Sequence, residues 1–491
     1  MVQTNPGWRR GQERERWLVV VSCIFLLLVL VVGAGFISEK VRSKNDHAEV
    51  QKRLAAMRAA GLPMTSQDVA KLYPDPPPDK DAVRLLQPAL ARLSLPNEFA
   101  DPKETTNLLF FDIIPPRTGP LAPGVIAESR LWLDRNQPAL ALIPWGQLDG
   151  AWVGLGFNLG LTNDTEDPVR EMTRLVRLLC TDAMLKMEQK RPGEALQSLE
   201  HAATLAHNFK NVPSIQFFIK ADDEHRIYEA LERILNQISL SDQELVMSSG
   251  FLSLTQVGVT KANMLNVERP SALSFADDLQ SSSHQLTRGV NSSGRWPFKA
   301  RQNTQLYRDS DLLDYLNWSD QCLAALDTPM TNAIPTLRTI EEQQEIVRQQ
   351  PHNSFLNVFA TERRSPLSQW EWQMTKFLLP ELKAVARERL AVTALAVERW
   401  RIAHSGQPPA SLTDLVPGFL PALPADPYDG RPLRYLNRTN SYVLYSIGED
   451  LTDDGGKEEP EEPTASQHYD ITFTVDLHER ESISIIAGAP R

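Results

Sequence analysis

The feature that most constrains this chain is an uncharged apolar stretch near its start, WLVVVSCIFLLLVLVVGAGF at Trp17 to Phe36. A helix needs about 20 predominantly apolar residues to cross a bilayer. A cleavable signal peptide has a shorter apolar core of roughly 7 to 15 residues. The stretch therefore predicts a membrane-spanning helix at 17–36 that is retained as a signal anchor.

The orientation of this span depends on the residues that flank it. Arginine residues precede the span and both lysine and arginine residues follow it, so the positive-inside rule does not decide between the two topologies. Residues 1–16 form a short leader, whereas the bulk of the chain follows the span. This asymmetry favours a cytoplasmic leader at 1–16 with the bulk of the protein outside the cytoplasm.

Acidic residues are concentrated near the C-terminus. Between Glu449 and Glu481 the sequence contains 12 acidic and 2 basic residues, whereas the whole chain has a net charge of −11. The rest of the chain is therefore close to neutral and has no basic stripe to follow a phosphate backbone. This distribution argues against nucleic acid as a partner.

Neither the cysteines nor the motifs of the chain indicate an enzyme. The three cysteines, Cys23, Cys180 and Cys322, lack the paired spacing of a zinc knuckle or a disulfide framework. The sequence also lacks the HExxH, GxSxG and P-loop motifs. We therefore predict a protein without a catalytic role.

Helical periodicity dominates the chain after the span, with one early interruption. One helix is predicted to end at Gly61, and the capping box of Thr65 and Asp68 predicts the start of the next. The triple proline at Pro76–Pro78 breaks this pattern, because proline cannot continue a helix. Residues 37–80 are therefore predicted to form a stalk and a proline-rich linker.

Residues 81–379 are predicted to form a mainly helical body. Three helical segments between Asp167 and Asn236 are joined by short breaks, which favours antiparallel neighbours. The segment EALQSLEHAATLA resembles a tetratricopeptide hairpin, although a period of about 34 residues is not sustained. The polar stretch Ser281–Arg295 is predicted to be an exposed loop.

Residues 380–491 are predicted to form a small α+β region. Its helix, from about Glu381 to His404, has the centre LAVTALAV, which is apolar all round and predicts packing on several sides. The Asp-Pro pair at Asp426 and the Asp-Gly pair at Asp429 predict tight turns. PLRYL and SYVLYSI then predict an antiparallel hairpin, and DITFTVDL predicts a further strand.

The C-terminal region, from ALAVERWRIAHSG through DPYDGRPLRY to GEDLTDDGG and YDI, resembles the C-terminal part of the major pseudopilin of type II secretion. That family also combines a helix, a turn rich in Asp and Pro, a hairpin and an acidic loop. The same layout, together with GLPMTSQDVAKLYPDPPPDKDAV, resembles a set of uncharacterised single-pass bacterial envelope proteins. The resemblance implies a single-pass inner membrane protein whose bulk lies on the periplasmic or extracytoplasmic side.

The chain departs from the pseudopilins before this region. A pseudopilin has a cleavable leader that ends in glycine, and its apolar helix leads directly into the small domain. Here charged QERER follows Gly11, and more than half of the chain separates the span from the hairpin. We therefore predict a membrane-anchored, envelope-facing scaffold that binds other envelope proteins. The alternative is an accessory component of a type II secretion or pilus-like system.

In pseudopilins the acidic loop binds calcium, and the resemblance carries that role to Asp450, Asp453, Asp454 and Asp470. Calcium takes about six to eight oxygen ligands, which carboxylates on a glycine-broken loop can supply together with backbone carbonyls. Leu451 stands where the family usually has glycine. A solvated acidic loop is the alternative, because blocks of like charge repel one another. Structural calcium is the only cofactor that this sequence suggests.

A further functional hypothesis is an envelope hydrolase whose active site is assembled from distant residues. The sequence DDEH places Asp222 and His225 on one face of a helix, and His201 and His207 lie on the preceding helix. A cleft that gathers these histidines with acidic partners would favour hydrolysis. Scattered positions would count against it.

Overall fold

The computed structural model describes residues 40–94, 117–154, 168–208, 214–252, 258–286, 309–349, 373–460 and 468–477, with the single positions 26, 38 and 367. Apart from Leu26, the predicted leader and span therefore lie outside the described residues. Within the described ranges, no helix is both long enough and apolar enough to cross a membrane.

The described part of the chain is mainly helical, as predicted, and its last elements form a small antiparallel sheet. Helix α1 covers residues 40–59. It is followed by α2 (Ser66–Leu72), α3 (Ala82–Leu90), α4 (Pro123–Leu140), α5 (Trp145–Leu148), α6 (Pro168–Glu188), α7 (Pro192–His207) and α8 (Ser214–Gln237). The next helices are α9 (Asp242–Phe251), α10 (Val259–Asn263), α11 (Arg269–Leu286), α12 (Asp309–Leu326), α13 (Met330–Gln349) and α14 (Thr375–Ala403), with a π-helical turn (Met264–Glu268) between α10 and α11. A 3-10 helix (Leu412–Leu415) precedes strands β1 (Arg434–Arg438), β2 (Ser441–Ser446) and β3 (Ile471–Asp476).

Two predicted helix boundaries near the start of the described chain are confirmed. Gly61 follows α1 with a φ of 70°, and its N–H donates to the carbonyl of Arg58 at 3.0 Å. Thr65 and Asp68 form the predicted capping box ahead of α2. Glycine accepts a positive φ because it has no Cβ, and the capping box satisfies two free N–H groups.

The proline-rich segment lies against the helical body. The indole N–H of Trp152 donates to the Pro74 carbonyl at 3.4 Å, and a Cβ built on Gly154 would lie 2.4 Å from the ring of Pro76. A parallel bridge between Asp81 and Trp152 continues this contact. The segment is non-helical, as predicted, and it is docked on the body.

Helices α6, α7 and α8 confirm the three predicted helical segments. Only a short connection separates α6 from α7, and the two helices are in contact, so they run antiparallel. Helix α8 contacts both of them, and Leu175, Leu199 and Leu231 are buried in this part of the core. This part of the helical body is thus built from helices that are neighbours in the sequence.

The predicted loop at Ser281–Arg295 is wrong in its first part. Helix α11 continues to Leu286, so residues 281–286 are helical. Low helix propensity of serine is a weak guide, because a helix that has already formed upstream extends at little cost. The rest of the stretch lies outside the described residues.

Two hydrophobic clusters form the interior, and α14 contributes to both. The first cluster contains residues of α3 to α9, the C-terminal half of α14 and the sheet, whereas the second contains residues of α1, α11, α12, α13 and the N-terminal half of α14. Leu378 and Leu382 lie in the second cluster, and Leu390 and Leu395 lie in the first. The predicted packing of the 390–397 segment on several sides is confirmed, since α14 contacts α8, α9, β2 and β3.

The sheet and its turns, residues 405–460 and 468–477, form the cap of the molecule. Strand β2 lies between β1 and β3 and pairs antiparallel with both, with Leu444 opposite Phe473. This arrangement confirms the predicted hairpin and the predicted further strand. Tyr442 of β2 belongs to the first cluster, whereas Ile447, just after β2, belongs to the second. The cap therefore rests on both clusters.

Candidate functional site: the acidic loop and the polar stripe of helix α8

The predicted Asp-Pro turn is built around the buried side chain of Asp426. Its carboxylate accepts the N–H groups of Tyr428 and Ile447, each at 3.0 Å, and the Ser446 hydroxyl at 2.8 Å. The guanidinium of Arg434 lies 2.5 Å from the same carboxylate. Since Asp426 is fully buried, these donors replace the water that its charge would otherwise need.

Arg434 links this turn to the acidic loop, residues 449–460. It pairs with Asp426 and Asp429, and its Nε lies 3.7 Å from Oδ2 of Asp453. Burial acts to raise the pKa of Asp429, but the hydrogen bond and charge of Arg434 outweigh it and lower that pKa. A fixed positive charge therefore lies beside the acidic loop.

Asp450 and Asp453, two of the predicted calcium ligands, bond within the loop region. Oδ1 of Asp450 accepts the Thr452 N–H at 3.0 Å, and Oδ2 lies 2.7 Å from Nδ1 of His468. Oδ1 of Asp453 accepts the Gly455 N–H at 3.1 Å. Bonds to an N–H two residues on are typical of Asx turns, so both side chains shape the loop.

Asp454 and Asp470, the other two predicted ligands, lie deeper. Asp470 accepts the N–H of Gly456 at 2.7 Å and that of Asp454 at 3.3 Å. Burial raises the pKa of Asp470, and the charges of Asp453 and Asp454 raise it further. Oδ2 of Asp454 is buried and has no hydrogen-bond partner. Three carboxylates are therefore close enough to repel one another.

The four aspartates do not converge on one point in this arrangement. In the part of the chain that the structure describes, no group of three or more His, Cys, Asp or Glu side chains has the geometry to hold a metal ion. Leu451 has a φ of 62°, a left-handed conformation that favours glycine. The backbone at Leu451 therefore has a conformation that glycine adopts more readily than leucine, and the calcium site stays a prediction.

A polar stripe on α8 lies beside α14 and the cap. His225, Glu229, Glu232 and Asn236 recur every three or four residues, so they share one face of the helix. Helix α8 contacts α14 and strand β3, and the stripe side chains are buried or half-buried. We name these four residues the α8 stripe.

Glu229 forms a buried ionic group with His225 and Arg387. Its Oε1 lies 2.9 Å from Nε2 of His225 and 3.2 Å from Nη1 of Arg387, and Arg387 also contacts Nδ1 of His225. Burial and the charge of Arg387 lower the pKa of His225, so the imidazole is uncharged at neutral pH. A neutral imidazole accepts from Arg387 and donates to Glu229. Oε2 of Glu229 and Nε of Arg387 are buried and have no hydrogen-bond partner.

Glu232, one turn further along α8, has a raised pKa, whereas that of Glu229 is lowered. Its Oε1 accepts the Thr474 N–H of β3 at 2.7 Å. Burial raises the pKa of Glu232 to about 7, because the charges of Arg117 and Arg387 offset only part of the desolvation. By contrast, His225 and Arg387 together outweigh burial and lower the pKa of Glu229. Two neighbouring carboxylates with unequal pKa values match the pattern of a general acid and an ionised base.

Asn236 joins α8 to the edge strand β3. Its Nδ2 donates to the Thr474 carbonyl at 2.8 Å, and its Oδ1 accepts the Asp476 N–H at 2.7 Å. Together with Glu232, it satisfies backbone groups that another strand would use. Helix α8 therefore closes this edge of the sheet.

The histidines named from the sequence have different surroundings. His225 belongs to the α8 stripe, whereas His201 on α7 stacks on Trp145 with the ring centroids 3.8 Å apart. His207 is the last residue of α7. The side chain of Asp222 lies outside the described residues. Of these three histidines, His225 is the one that lies beside α14 and the cap.

Sequence reasoning missed Glu229, Glu232 and their partner Arg387. Their signal is periodic, since polar residues recur on one face of α8 between buried residues such as Ile227 and Leu231. A polar face on a buried helix indicates a polar partner. That partner, Arg387, lies 158 residues from Glu229, and no local pattern connects the two positions.

Comparison with known proteins identifies no protein that is similar to this chain. No family model matches the chain, and neither a curated protein nor a solved structure matches it significantly. The pseudopilin resemblance therefore stays a prediction, and the geometry of the site carries the functional argument.

Proposed function

We propose that this chain is a membrane-anchored, non-catalytic scaffold whose helical body and cap bind other envelope proteins outside the cytoplasm. The observation that carries the proposal is the continuity between body and cap. Helix α14 contributes to both hydrophobic clusters, and α8 closes the edge of β3. Surfaces on such a unit keep fixed relative positions, as docking of several partners requires.

Charged pairs between body and cap support this role. Arg117 lies 2.7 Å from Glu458 and 3.3 Å from Asp476, and it precedes α4 in the body. Lys383 of α14 lies 3.7 Å from Glu459 of the acidic loop. Ion pairs across a contact fix orientation more than they add stability. These pairs orient the cap on the body.

The closed edge of β3 disfavours assembly by strand addition, which is one way in which a component of a pilus-like system could bind its partners. An open strand edge offers unpaired N–H and C=O groups to a strand from another chain. Glu232 and Asn236 already bond to those groups on Thr474 and Asp476. This favours partners that bind to helical surfaces over partners that add a strand at β3.

Photo-crosslinking in intact cells tests the scaffold. Benzoylphenylalanine is placed at Met247 on α9 or Ile346 on α13, two apolar side chains that are more than half exposed. We expect a light-dependent protein adduct of discrete mass from at least one position, with the non-irradiated sample as the control. The adduct should weaken in Asn236→Ala, which loosens the contact between α8 and β3.

The absence of an adduct at both Met247 and Ile346 would contradict the proposed scaffold role. Adducts that consist of pseudopilins or of their assembly platform would instead support the accessory role in secretion. The two results are distinguished by the mass and sequence of the captured protein.

The unequal carboxylates of the α8 stripe favour one second candidate, an envelope hydrolase. Glu232 would act as the general acid and Glu229 as the base, since proton transfer is efficient when a pKa lies near the working pH. Full-length protein would then release nitrophenol from a nitrophenyl ester, phosphate or glycoside, and Glu232→Gln would abolish the release. Lack of turnover on all three substrates removes this candidate.

A further inference from the structure

Helices α4, α5, α6 and α7 surround a cavity that is separate from the α8 stripe. Its volume is about 460 Å³, within the range of small-molecule sites, and Leu133, Leu179 and Leu185 contribute apolar walls. The proposed scaffold role makes no use of this cavity. The shape, charge and hydrogen-bonding groups of its lining side chains determine which class of ligand it can bind.

A stacked pair of rings lines one part of the cavity. The indole of Trp145 and the imidazole of His201 are nearly parallel, with an interplanar angle of 5° and centroids 3.8 Å apart. Burial and the charge of Lys186 lower the pKa of His201, although Asp182 acts in the opposite direction. The pair is therefore uncharged at neutral pH, and its two rings contribute aromatic surface to the lining of the cavity.

The polar centre of the cavity is neutral as a group. Nζ of Lys186 lies 2.6 Å from Oδ2 of Asp182, and it donates to the Ser198 hydroxyl at 2.9 Å. The Ser198 hydroxyl donates to the same Asp182 oxygen at 2.7 Å. Because the ammonium and the carboxylate already neutralise each other, a charged ligand would find no free counter-charge here.

The outer wall is also balanced in charge. Arg130 and Asp134 lie one turn apart on α4, where their opposite charges are neighbours, and Arg191 pairs with Glu194. Exposed amides occupy the remaining polar positions of this wall, and each amide both donates and accepts. These amides belong to Gln137, Gln189 and Gln197.

We propose that this cavity binds a small uncharged saccharide. A pyranose ring has a flat apolar face that suits the aromatic surface of Trp145 and His201. Its hydroxyls both donate and accept hydrogen bonds, as the exposed amides of the outer wall do. Balanced charge disfavours phosphates and carboxylates. A volume of about 460 Å³ suits one or two sugar rings better than an extended peptide.

Isothermal titration calorimetry on the full-length protein tests the proposal. The protein is kept in a detergent without a sugar headgroup, so that the detergent does not compete. The probes are N,N′-diacetylchitobiose and maltose, with trialanine and inorganic phosphate as the competing ligand classes. We expect saturable binding of at least one disaccharide at millimolar concentration or below.

Variants locate the binding in the cavity. Gln137→Ala and Gln197→Ala change exposed side chains, so they should fold normally and weaken binding by about 2- to 12-fold, as loss of one hydrogen bond does. Trp145→Ala should weaken it by more than about 10-fold through loss of the flat surface. Glu200→Ala changes an exposed residue of α7 that does not line the cavity, so it is the matched control and should bind normally.

Three results would overturn the proposal. One is no heat of binding with either disaccharide. Another is tighter binding of trialanine or phosphate than of both disaccharides. The last is disaccharide binding that Gln137→Ala, Gln197→Ala and Trp145→Ala all leave unchanged, which would place the sugar elsewhere on the protein.

Discussion

Asp426 has two structural roles: it starts a turn, and its buried carboxylate anchors the cap. The sequence pattern around it predicts only the first role. Its place before Pro427 predicted a turn, and the turn is present, with Gly430 N–H bonded to the Asp426 carbonyl at 2.9 Å. The burial of its carboxylate did not follow from that pattern. The burial depends on Ser446, which lies 20 residues further along the chain. Local turn chemistry is visible in sequence, whereas burial needs the completed sheet.

The variant Asp426→Ala should destabilise the cap. It leaves Arg434 largely buried with Asp429 as a remaining partner, and it removes the acceptor of two N–H groups. We expect a loss of about 3 kcal/mol in the free energy of unfolding of the cap, typical of breaking a buried ion pair. Hydrogen exchange of the β2 amides measures this loss.

The matched control for this variant is Asp453→Ala. Its carboxylate is half exposed and lies 3.7 Å from the same arginine, so its removal should cost less than about 1 kcal/mol. Equal exchange rates in Asp426→Ala and Asp453→Ala would show that Asp426 does not anchor the cap.

Calcium should stabilise the cap if the predicted site forms in the acidic loop. The carboxylates of Asp453, Asp454 and Asp470 repel one another, and a divalent cation would remove that repulsion. At about a hundredfold excess over its Kd, calcium would add about 2.7 kcal/mol to the free energy of unfolding. Melting temperatures with calcium, with magnesium and with a chelator measure the effect.

The variant Asp470→Asn provides the specificity test for calcium. It should abolish the calcium-dependent rise in Tm, because Asp470 is the most enclosed of the predicted ligands. A Tm that calcium leaves unchanged in the unmodified protein would mean that the acidic loop is solvated charge without an ion.

At the scale of elements, signals within a few residues predicted helix and strand positions well. Ser411 and Asp414 have the three-residue spacing of a capping box and form one, and the element that follows is a 3-10 helix. The polar face of α8 was not predicted, because its partner Thr474 lies 242 residues from Glu232. Long-range pairing of this kind leaves no signature in a single sequence.

The variant Glu232→Gln should change how stability depends on pH. Because the pKa of Glu232 is about 7 in the folded state and near 4.5 otherwise, the folded state binds this proton more tightly. The contribution of Glu232 to stability is therefore lost as pH rises from about 4.5 to about 7. Glutamine keeps an acceptor for the Thr474 N–H and has no charge to bury.

Urea unfolding at several pH values measures this difference. Glu232→Gln should be more stable than the unmodified protein above about pH 7, by on the order of 1–3 kcal/mol, and the gain should vanish below about pH 4.5. Glu200→Gln, an exposed change on α7, should show no such trend. A gain that is the same at every pH would contradict a raised pKa at Glu232.

At the scale of the whole molecule, α14 decides the architecture. The sequence predicted a helix buried on several sides, and the structure confirms it, but the assignment of its two halves to different clusters was not foreseeable. The second cluster combines α1 near the start of the described chain with α11 to α13 and with Tyr428 and Ile447 of the cap. Such a cluster depends on chain topology, which hydrophobic periodicity does not encode.

Cysteine labelling from outside the membrane tests the central claim, that body and cap form a tethered scaffold on the extracytoplasmic side. The variant Glu200→Cys places a thiol on the exposed side of α7, and Cys23 is replaced by serine. Cys180 and Cys322 do not interfere, because both are buried and burial raises their thiol pKa to about 12. A membrane-impermeant maleimide should label Glu200→Cys in intact spheroplasts as fully as in lysed cells. Labelling that appears only after lysis would place the body in the cytoplasm and contradict the account.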